Sequence, residues 1–384
     1  MAMTPLKDNV GIAIDGGGIK GLIIARALAA LENELGCDRL LDHPGVRILA
    51  GTSTGSIISA AIAMGMKADA IAEVYRTVGQ EVFPRIGKLG EVLRIIFGRS
   101  VYKNDKLIKV LKKVIREQTG SEDWTLGDVQ NHIGQDKTLI ITVVDITQRR
   151  THFLKSYDEE DQKWRLWEAI LASSSAPPAL PVFTRKNAAG KIVCYTDGGV
   201  GSYGNPAYVV AREAVDFQGI APAKFSLLSF GTGWQNADNY EKDNRPPSTW
   251  RGVQWAMNGA FIVAADAIRC QSLDILNNSR TSAMDFRRFQ LELEHDIPAE
   301  SYGDDATYEL MNKLGLDLGR RIADNHFASP GCPPKYDPEG LFPNYTTFIN
   351  KAKKISRLKS KAITKAIAKF KAARRKGGKP KAKR

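Results

Sequence analysis

A chain of 384 residues, 43% of them hydrophobic and 25% charged, can bury a large core as one big domain or as two, which sets it among globular proteins. Its N-terminus, MAMTPLKDNV, lacks the positive and then continuously apolar stretches of a secretory signal, and Cys37, Cys194, Cys270 and Cys332 are too dispersed for a zinc site or a disulfide scaffold. The net charge of +13 belongs to a tail: residues 351–384 hold 16 of the 55 Lys and Arg and no acid, leaving 39 basic against 42 acidic residues before them, a body charge of −3.

These features predict a cytosolic protein with reduced thiols. The uncharged run from Ile48 to Met66 approaches the length of a bilayer span. Its Gly51, Gly55 and Gly65, set among Ser and Thr, fit a strand, a sharp turn and a buried helix better, so no transmembrane segment is predicted.

In chain order, Val10–Ile14 reads as a buried strand and Ile19–Leu35 as a helix with apolar residues at helical spacing. Val46–Ala50 is a second strand, followed by GTSTG and the apolar helix SIISAAIAMG. Helices are predicted around Ala68–Val82 and Asp105–Arg116, then strands at Leu139–Ile146 and His152–Tyr157. A short helix at Trp164–Ala172, the strand IVCYT, a helix after Asn205-Pro206 and the strand FSLLSF follow, with long helices from Thr249 and Asp305. Strands alternating with helices predict a three-layer α/β/α fold around a mainly parallel sheet. The apolar and basic segment Phe83–Ser100 fits either packing against the body or a lid that touches lipid.

Gly16, Gly18 and Gly21 in DGGGIKG match the G-x-G-x-x-G of dinucleotide-binding folds. That reading requires an acid at the end of the second strand to hold the ribose. Here the strand ends in GTSTG, and the nearest acid at that distance, Asp38, sits in CDRLLDH. The nucleotide reading loses its confirming context.

GTSTG is G-x-S-x-G: Gly51 and Gly55 allow the tight strand-to-helix turn that presents Ser53 as a nucleophile. The helix that follows points its free N–H groups, beginning at Thr54, toward negative charge developing beside the serine. Acyl transfer also needs oxyanion donors, each worth about 3 to 4 kcal/mol. Gly16, Gly17 and Gly18 can supply them, with Lys20 adding positive charge, although a plain strand–helix turn explains the same glycines. None of His43, His132, His152, His295 and His326 has a recognisable triad context. Asp197, in IVCYTDGGV, follows an apolar strand, and Gly198 and Gly199 would let its carboxylate reach a site at the strand ends. A solvent-facing turn aspartate would give the same local pattern.

With DGGGIKG, GTSTGS, ASSSAPPALP and TDGGV in this order, the chain resembles the patatin-like phospholipases, lipid acyl hydrolases related to cytosolic phospholipase A2. The resemblance covers roughly residues 8–235, ends in LLSFGTG, and extends more loosely through helices to about 325. It implies a patatin-like domain over residues 1–350, with the helical part at 236–330, and a separate tail at 351–384. It also implies an oxyanion loop at Gly16, Gly17 and Gly18, a nucleophile at Ser53, a dyad aspartate at Asp197, and no catalytic histidine, metal or cofactor. Two departures stand out: the family usually has Arg at the position of Lys20, and its usual segment after DGG is replaced by VGSYGNPA. Membrane phospholipid or galactolipid is the implied substrate. Within the family, GTSTGSII, CQSLDIL and YELMNKLG look like bacterial phospholipases switched on by cyclic nucleotides in antiviral (CBASS) defence, although no nucleotide-binding motif can be read. A Ser-His-Asp esterase and a nucleotide-binding module are the competing classes.

In the tail, Ile355, Leu358, Ala362, Ile363, Ile367 and Phe370 fall within about half of a helical wheel and most lysines within the other half. This predicts an amphipathic cationic helix lying on an anionic membrane, with a disordered KAARRKGGKPKAKR beyond it. Solubilisation or nucleic-acid contact through the tail is the competing reading. The expected location is cytoplasmic and peripheral at the inner membrane surface, with room for a homo-oligomer.

Overall fold

β1 (Asn9–Ile14) is buried from Val10 onward, as a central strand covered on both faces must be. In the computed structural model it lies inside an eight-stranded sheet. The described residues are 3–82, 100–177, 179–187, 189–233, 267, 271–272, 274–276, 278–291, 293 and 305–324, without the side chains of 77–81. All belong to the first of two compact units, Met1–Leu341. The predicted tail helix, the helix expected to begin at Thr249 and residues 83–99 of the candidate lid lie outside them.

The other strands are β2 (Val46–Thr52), β3 (Thr138–Asp145), β4 (Arg150–Lys155), β5 (Phe183–Lys186), β6 (Ile192–Asp197), β7 (Phe225–Phe230) and β8 (Asp285–Phe289). β3, β2, β1, β7 and β8 run parallel in that order. β4, β6 and β5 are antiparallel additions. Residues 140–145 of β3 pair with β4 along one edge, so the other edge must be shared: β2 takes Thr138–Thr142 and β6 takes Val143–Asp145. β2 and β6 therefore approach each other head to head along β3.

The helices are α1 (Gly21–Leu35), α2 (Thr54–Ala63), α3 (Ala68–Val82), α4 (Asn104–Thr119), α5 (Leu126–Ile133), α6 (Leu166–Ser174), α7 (Ala207–Arg212) and α8 (Asp305–Ala323). Ile12 and Ile14 of β1 join the large core formed with α1 to α6 and α8. Gly11 and the opposite face of β1 lie against Val210 of α7 and Phe225. The mixed, mostly parallel sheet with helices around it is the expected fold class. The uncharged run Ile48–Met66 is divided between β2 and α2, and among the described residues no helix is long and apolar enough to cross a membrane.

Three elements differ from the sequence reading. The helix expected from Ile19 begins at Gly21, because Gly18, with φ of 58°, starts a 3-10 turn over Gly18–Lys20. α5 was not expected; its start is fixed by a capping box in which Thr125 and Asp128 exchange hydrogen bonds with each other's N–H. β5 and β8 were also not expected, and β8 carries Asp285, Arg287 and Arg288 in a buried strand.

Candidate active site

β2 ends at Thr52, and the chain turns at once into α2. Ser53 sits at the corner with φ 54° and ψ −123°, a left-handed conformation that a serine adopts only when its surroundings enforce it. The flanking glycines are that enforcement. A Cβ on Gly51 would overlap the Gly55 carbonyl, and one on Gly55 would overlap the Ile14 carbonyl of β1. The Ser53 carbonyl accepts the Ser56 N–H at 2.9 Å and the Ser56 hydroxyl at 2.6 Å.

β6 brings Asp197 to the same place from the opposite direction. Its register partner is Val143, next to the Thr142 that pairs with Thr52. Asp197 is only 5% exposed. Burial pushes its carboxyl up to about 6, against the opposing pull of the Ser53 side chain and of the Gly199 N–H. The Gly199 bond is 2.7 Å long and also caps the turn Gly198–Gly201. Gly198 has no room for a side chain, because a Cβ there would overlap Thr142.

The glycine-rich loop crosses above the serine. A Cβ on Gly16 would lie 3.2 Å from the Ser53 Cβ, so only glycine gives this approach without displacement. One expectation is corrected here. The Gly16 N–H donates to the Gly204 carbonyl at 2.8 Å, which removes it from the set of oxyanion donors. Gly17 and Gly18 remain: among the described residues neither N–H has a hydrogen-bond partner. Lys20 closes the 3-10 turn, its N–H donating to the Gly17 carbonyl at 3.2 Å. Thr54, the first residue of α2, turns its hydroxyl to Tyr75, whose own hydroxyl reaches the Thr54 carbonyl at 3.1 Å. Burial raises the Tyr75 phenol above its usual range, so it stays neutral. The Thr54 N–H is left at the positive end of α2, beside the serine.

Two supports escaped the sequence reading. Ser173, at the end of α6, accepts the Ser53 N–H at 2.9 Å and donates to the Thr142 carbonyl at 2.7 Å. Two residues on, the Ser175 carbonyl accepts the Asp197 N–H at 3.1 Å and the Thr196 hydroxyl at 2.6 Å. The serine run in ASSSAPPALP thus fixes the backbones of both Ser53 and Asp197. The second support holds the glycine loop. Arg288 of β8, 3% exposed, forms a two-pronged ion pair with Asp15 at 2.7 and 2.5 Å and a further bond to Ser229 at 2.8 Å. The Thr232 hydroxyl donates to the Gly16 carbonyl at 3.0 Å. Gln290 accepts the Gly233 N–H at 2.7 Å.

The described histidines are engaged elsewhere. His43 accepts the Gly45 N–H at 3.2 Å, His132 leans on Trp124 with ring centroids 5.4 Å apart, and His152 meets Asp161 at 3.0 Å. His295 and His326 lie outside the described residues.

A strained serine turn, a buried acid brought beside it by the sheet register and the two unpartnered amides of Gly17 and Gly18 form a constellation suited to acyl transfer. The family model for patatin-like phospholipases matches residues 12–211, and the chain belongs to that family. Its enzyme class is accordingly that of the phospholipase hydrolases. The chain is 26% identical over 358 residues to patatin-like protein 2 of Oryza sativa subsp. indica, covering 82% of this chain and 84% of the relative. It is 24% identical to the cGAMP-activated phospholipase of Vibrio cholerae serotype O1, covering 84% and 92%. Over 218 residues it is 28% identical to the cUMP-AMP-activated phospholipase of Escherichia coli, covering 54% and 61%.

Proposed function

We propose that the protein cleaves fatty-acyl esters of membrane phospholipids or galactolipids, as a phospholipase A, through a Ser53–Asp197 dyad. The observation that carries the proposal is the convergence of two chain segments on neighbouring residues of β3: the strained Ser53 follows Thr52, the partner of Thr142, and Asp197, a buried carboxylate raised to about 6, pairs with Val143. A base of that strength is ionised at neutral pH yet binds a proton far better than a free aspartate.

In the proposed reaction the Ser53 Oγ attacks the ester carbonyl as Asp197 takes the hydroxyl proton. The resulting oxyanion is held by the N–H groups of Gly17, Gly18 and Thr54. Collapse breaks the bond to the lipid alkoxide, which receives the proton from Asp197, and leaves the acyl group on Ser53. Water, deprotonated by Asp197, then attacks the acyl-enzyme; fatty acid leaves and the proton returns to Ser53.

The similarity to cGAMP- and cUMP-AMP-activated phospholipases supports a finer reading, in which a cyclic nucleotide switches the enzyme on in antiviral defence. The basic tail at 351–384 supports peripheral attachment to an anionic inner membrane. Mass spectrometry of lipid products, with and without cyclic dinucleotides, tests the whole. Wild type should release fatty acid and lysolipid, whereas Ser53→Ala and Asp197→Ala should release neither. Product from Ser53→Ala would defeat the dyad, and equal rates with and without nucleotide would defeat the switch alone.

A further inference from the structure

β6 runs antiparallel to β3, so its first residue lies on the far side of Asp197 from β2. Five residues of extended chain separate Ile192 from Asp197, about 17 Å. The β5–β6 turn therefore projects beyond the strand ends that carry Ser53. The β3–β4 turn projects from the same edge and is tied to β6: the Ile146 N–H donates to the Cys194 carbonyl, and the Cys194 N–H to the Thr147 hydroxyl, each at 2.9 Å.

These two turns share an uncommon composition for a body whose charge is −3. Arg149, Arg150, Arg185, Lys186 and Lys191 are all basic, and residues 146–150 and 182–192 contain no acid. None of the five forms an ion pair among the described residues. Arg185 instead stands over Trp164, its guanidinium carbon 4.0 Å from the ring centroid. The neighbouring acid, Asp145, is 2% exposed and accepts the Gln148 N–H at 2.8 Å, so it does not face the cations from the surface. Exposed apolar side chains accompany the cations: Ile192, next to Lys191, at 65%, Ile146 at 41%, and Val182, at the other end of β5, at 38%. Val200, three residues past Asp197, is 55% exposed.

We propose that this edge is a docking surface for an anionic lipid bilayer, acting separately from the basic tail. Cations that seek headgroup phosphates, accompanied by aliphatic side chains that seek the acyl boundary, suit a lipid interface better than a soluble anion. The surface projects from the same end of the sheet that carries Ser53, so docking would bring the bilayer to the side on which that serine lies. The inference rests on the lipid-hydrolase reading of that site.

The test uses the full chain carrying Lys186→Gln, Lys191→Gln and Ile192→Ser. Vesicle partitioning is measured in a Ser53→Ala background, and hydrolysis with Ser53 intact. Partitioning to phosphatidylglycerol-rich vesicles should fall roughly 10²-fold, at about fivefold for each lost cation and the remainder from the lost isoleucine. Vesicle hydrolysis should fall with it, while hydrolysis of a monomeric short-chain ester stays at the wild-type rate. Unchanged vesicle partitioning and hydrolysis would overturn the proposal and leave membrane contact to the tail. Equal losses on zwitterionic and anionic vesicles would overturn its charge recognition, and weakened duplex DNA binding with intact vesicle binding would reassign the surface to nucleic acid. If soluble-ester hydrolysis also falls, Arg149→Gln with Arg150→Gln on the other turn decides: a loss confined to vesicles supports the surface, and no vesicle loss refutes it. A wild-type enzyme that cleaves neither substrate would instead refute the hydrolase reading.

Discussion

Thr52 and Asp197 pair with consecutive residues of β3, Thr142 and Val143, although their strands run in opposite directions. This head-to-head meeting is what delivers the acid to the serine. The proposed nucleophile belongs to the parallel part of the sheet and the proposed base to its antiparallel addition, so hydrogen bonds along a single strand set their separation.

Asp197→Asn separates activity from stability. Loss of the base should lower ester hydrolysis about 10³- to 10⁴-fold. The same change should stabilise the fold at alkaline pH. Because the native carboxyl is raised to about 6, the folded state binds the proton more tightly than the unfolded state does. Ionising it therefore costs stability between about pH 4 and 6, and that cost is full above about pH 6, reaching at most about 3 kcal/mol. Thermal melts at pH 8 should favour the Asn variant, and melts near pH 4 should bring the two proteins together. A variant less stable than wild type at pH 8 would contradict this account of Asp197.

The same group should shape the pH–rate profile. With Asp197 as the ionised base, kcat/KM for a neutral ester should rise about tenfold per pH unit below a midpoint of about 6 and flatten above it. A midpoint near 4 would mean that the acting carboxylate is exposed to water.

Ser173→Ala should act through Ser53. The buried Ser53 N–H loses its acceptor at 2.9 Å, and the strained corner gains freedom. About 1 to 2 kcal/mol is at stake, which should appear as a roughly tenfold lower kcat with little change in KM. Steady-state kinetics on a soluble ester, with a melting curve to gauge any general loosening, would separate this effect from unfolding.

Arg288→Met should be among the more destabilising single changes, at about 3 to 5 kcal/mol, because it leaves Asp15 buried without its cation. Adding Asp15→Leu should restore much of that stability. Activity should stay low in the double variant, since the residue before Gly16 then loses its side-chain anchor and keeps only its N–H bond to the Phe230 carbonyl at 3.0 Å. Chemical denaturation and ester hydrolysis of the three proteins give both readouts.

The sequence revealed the turn at Ser53 and the acid at Asp197 because both sit where an apolar strand runs into glycines, a local pattern with a local cause. It could not reveal their supports, which are tertiary. Ser173 looks like any polar residue ending a helix until Thr142 and Ser53 are brought to it. β8 was missed because DFRRF reads as a charged surface segment. Arg287 is spent on the carbonyls of Thr4 and Pro5, and Arg288 on Asp15, each at the opposite end of the chain. The Gly16 donor was over-assigned for the same reason: its partner, Gly204, lies in the VGSYGNPA loop that departs from the family pattern.

The reliance of the glycine loop on β8 bears on how the protein can be cut for expression. The family match ends at residue 211, and the motifs end at Gly233. A fragment stopped at either boundary would retain both candidate reacting side chains yet strip Asp15 of Arg288, and one stopped after Gly233 would also strip Gly233 of Gln290, whose carbonyl is in turn held by Arg321 of α8 at 3.1 Å. The smallest active unit is thus expected to reach at least through Arg321, and short recombinant pieces chosen by motif alone should be inactive for lack of scaffolding rather than of chemistry.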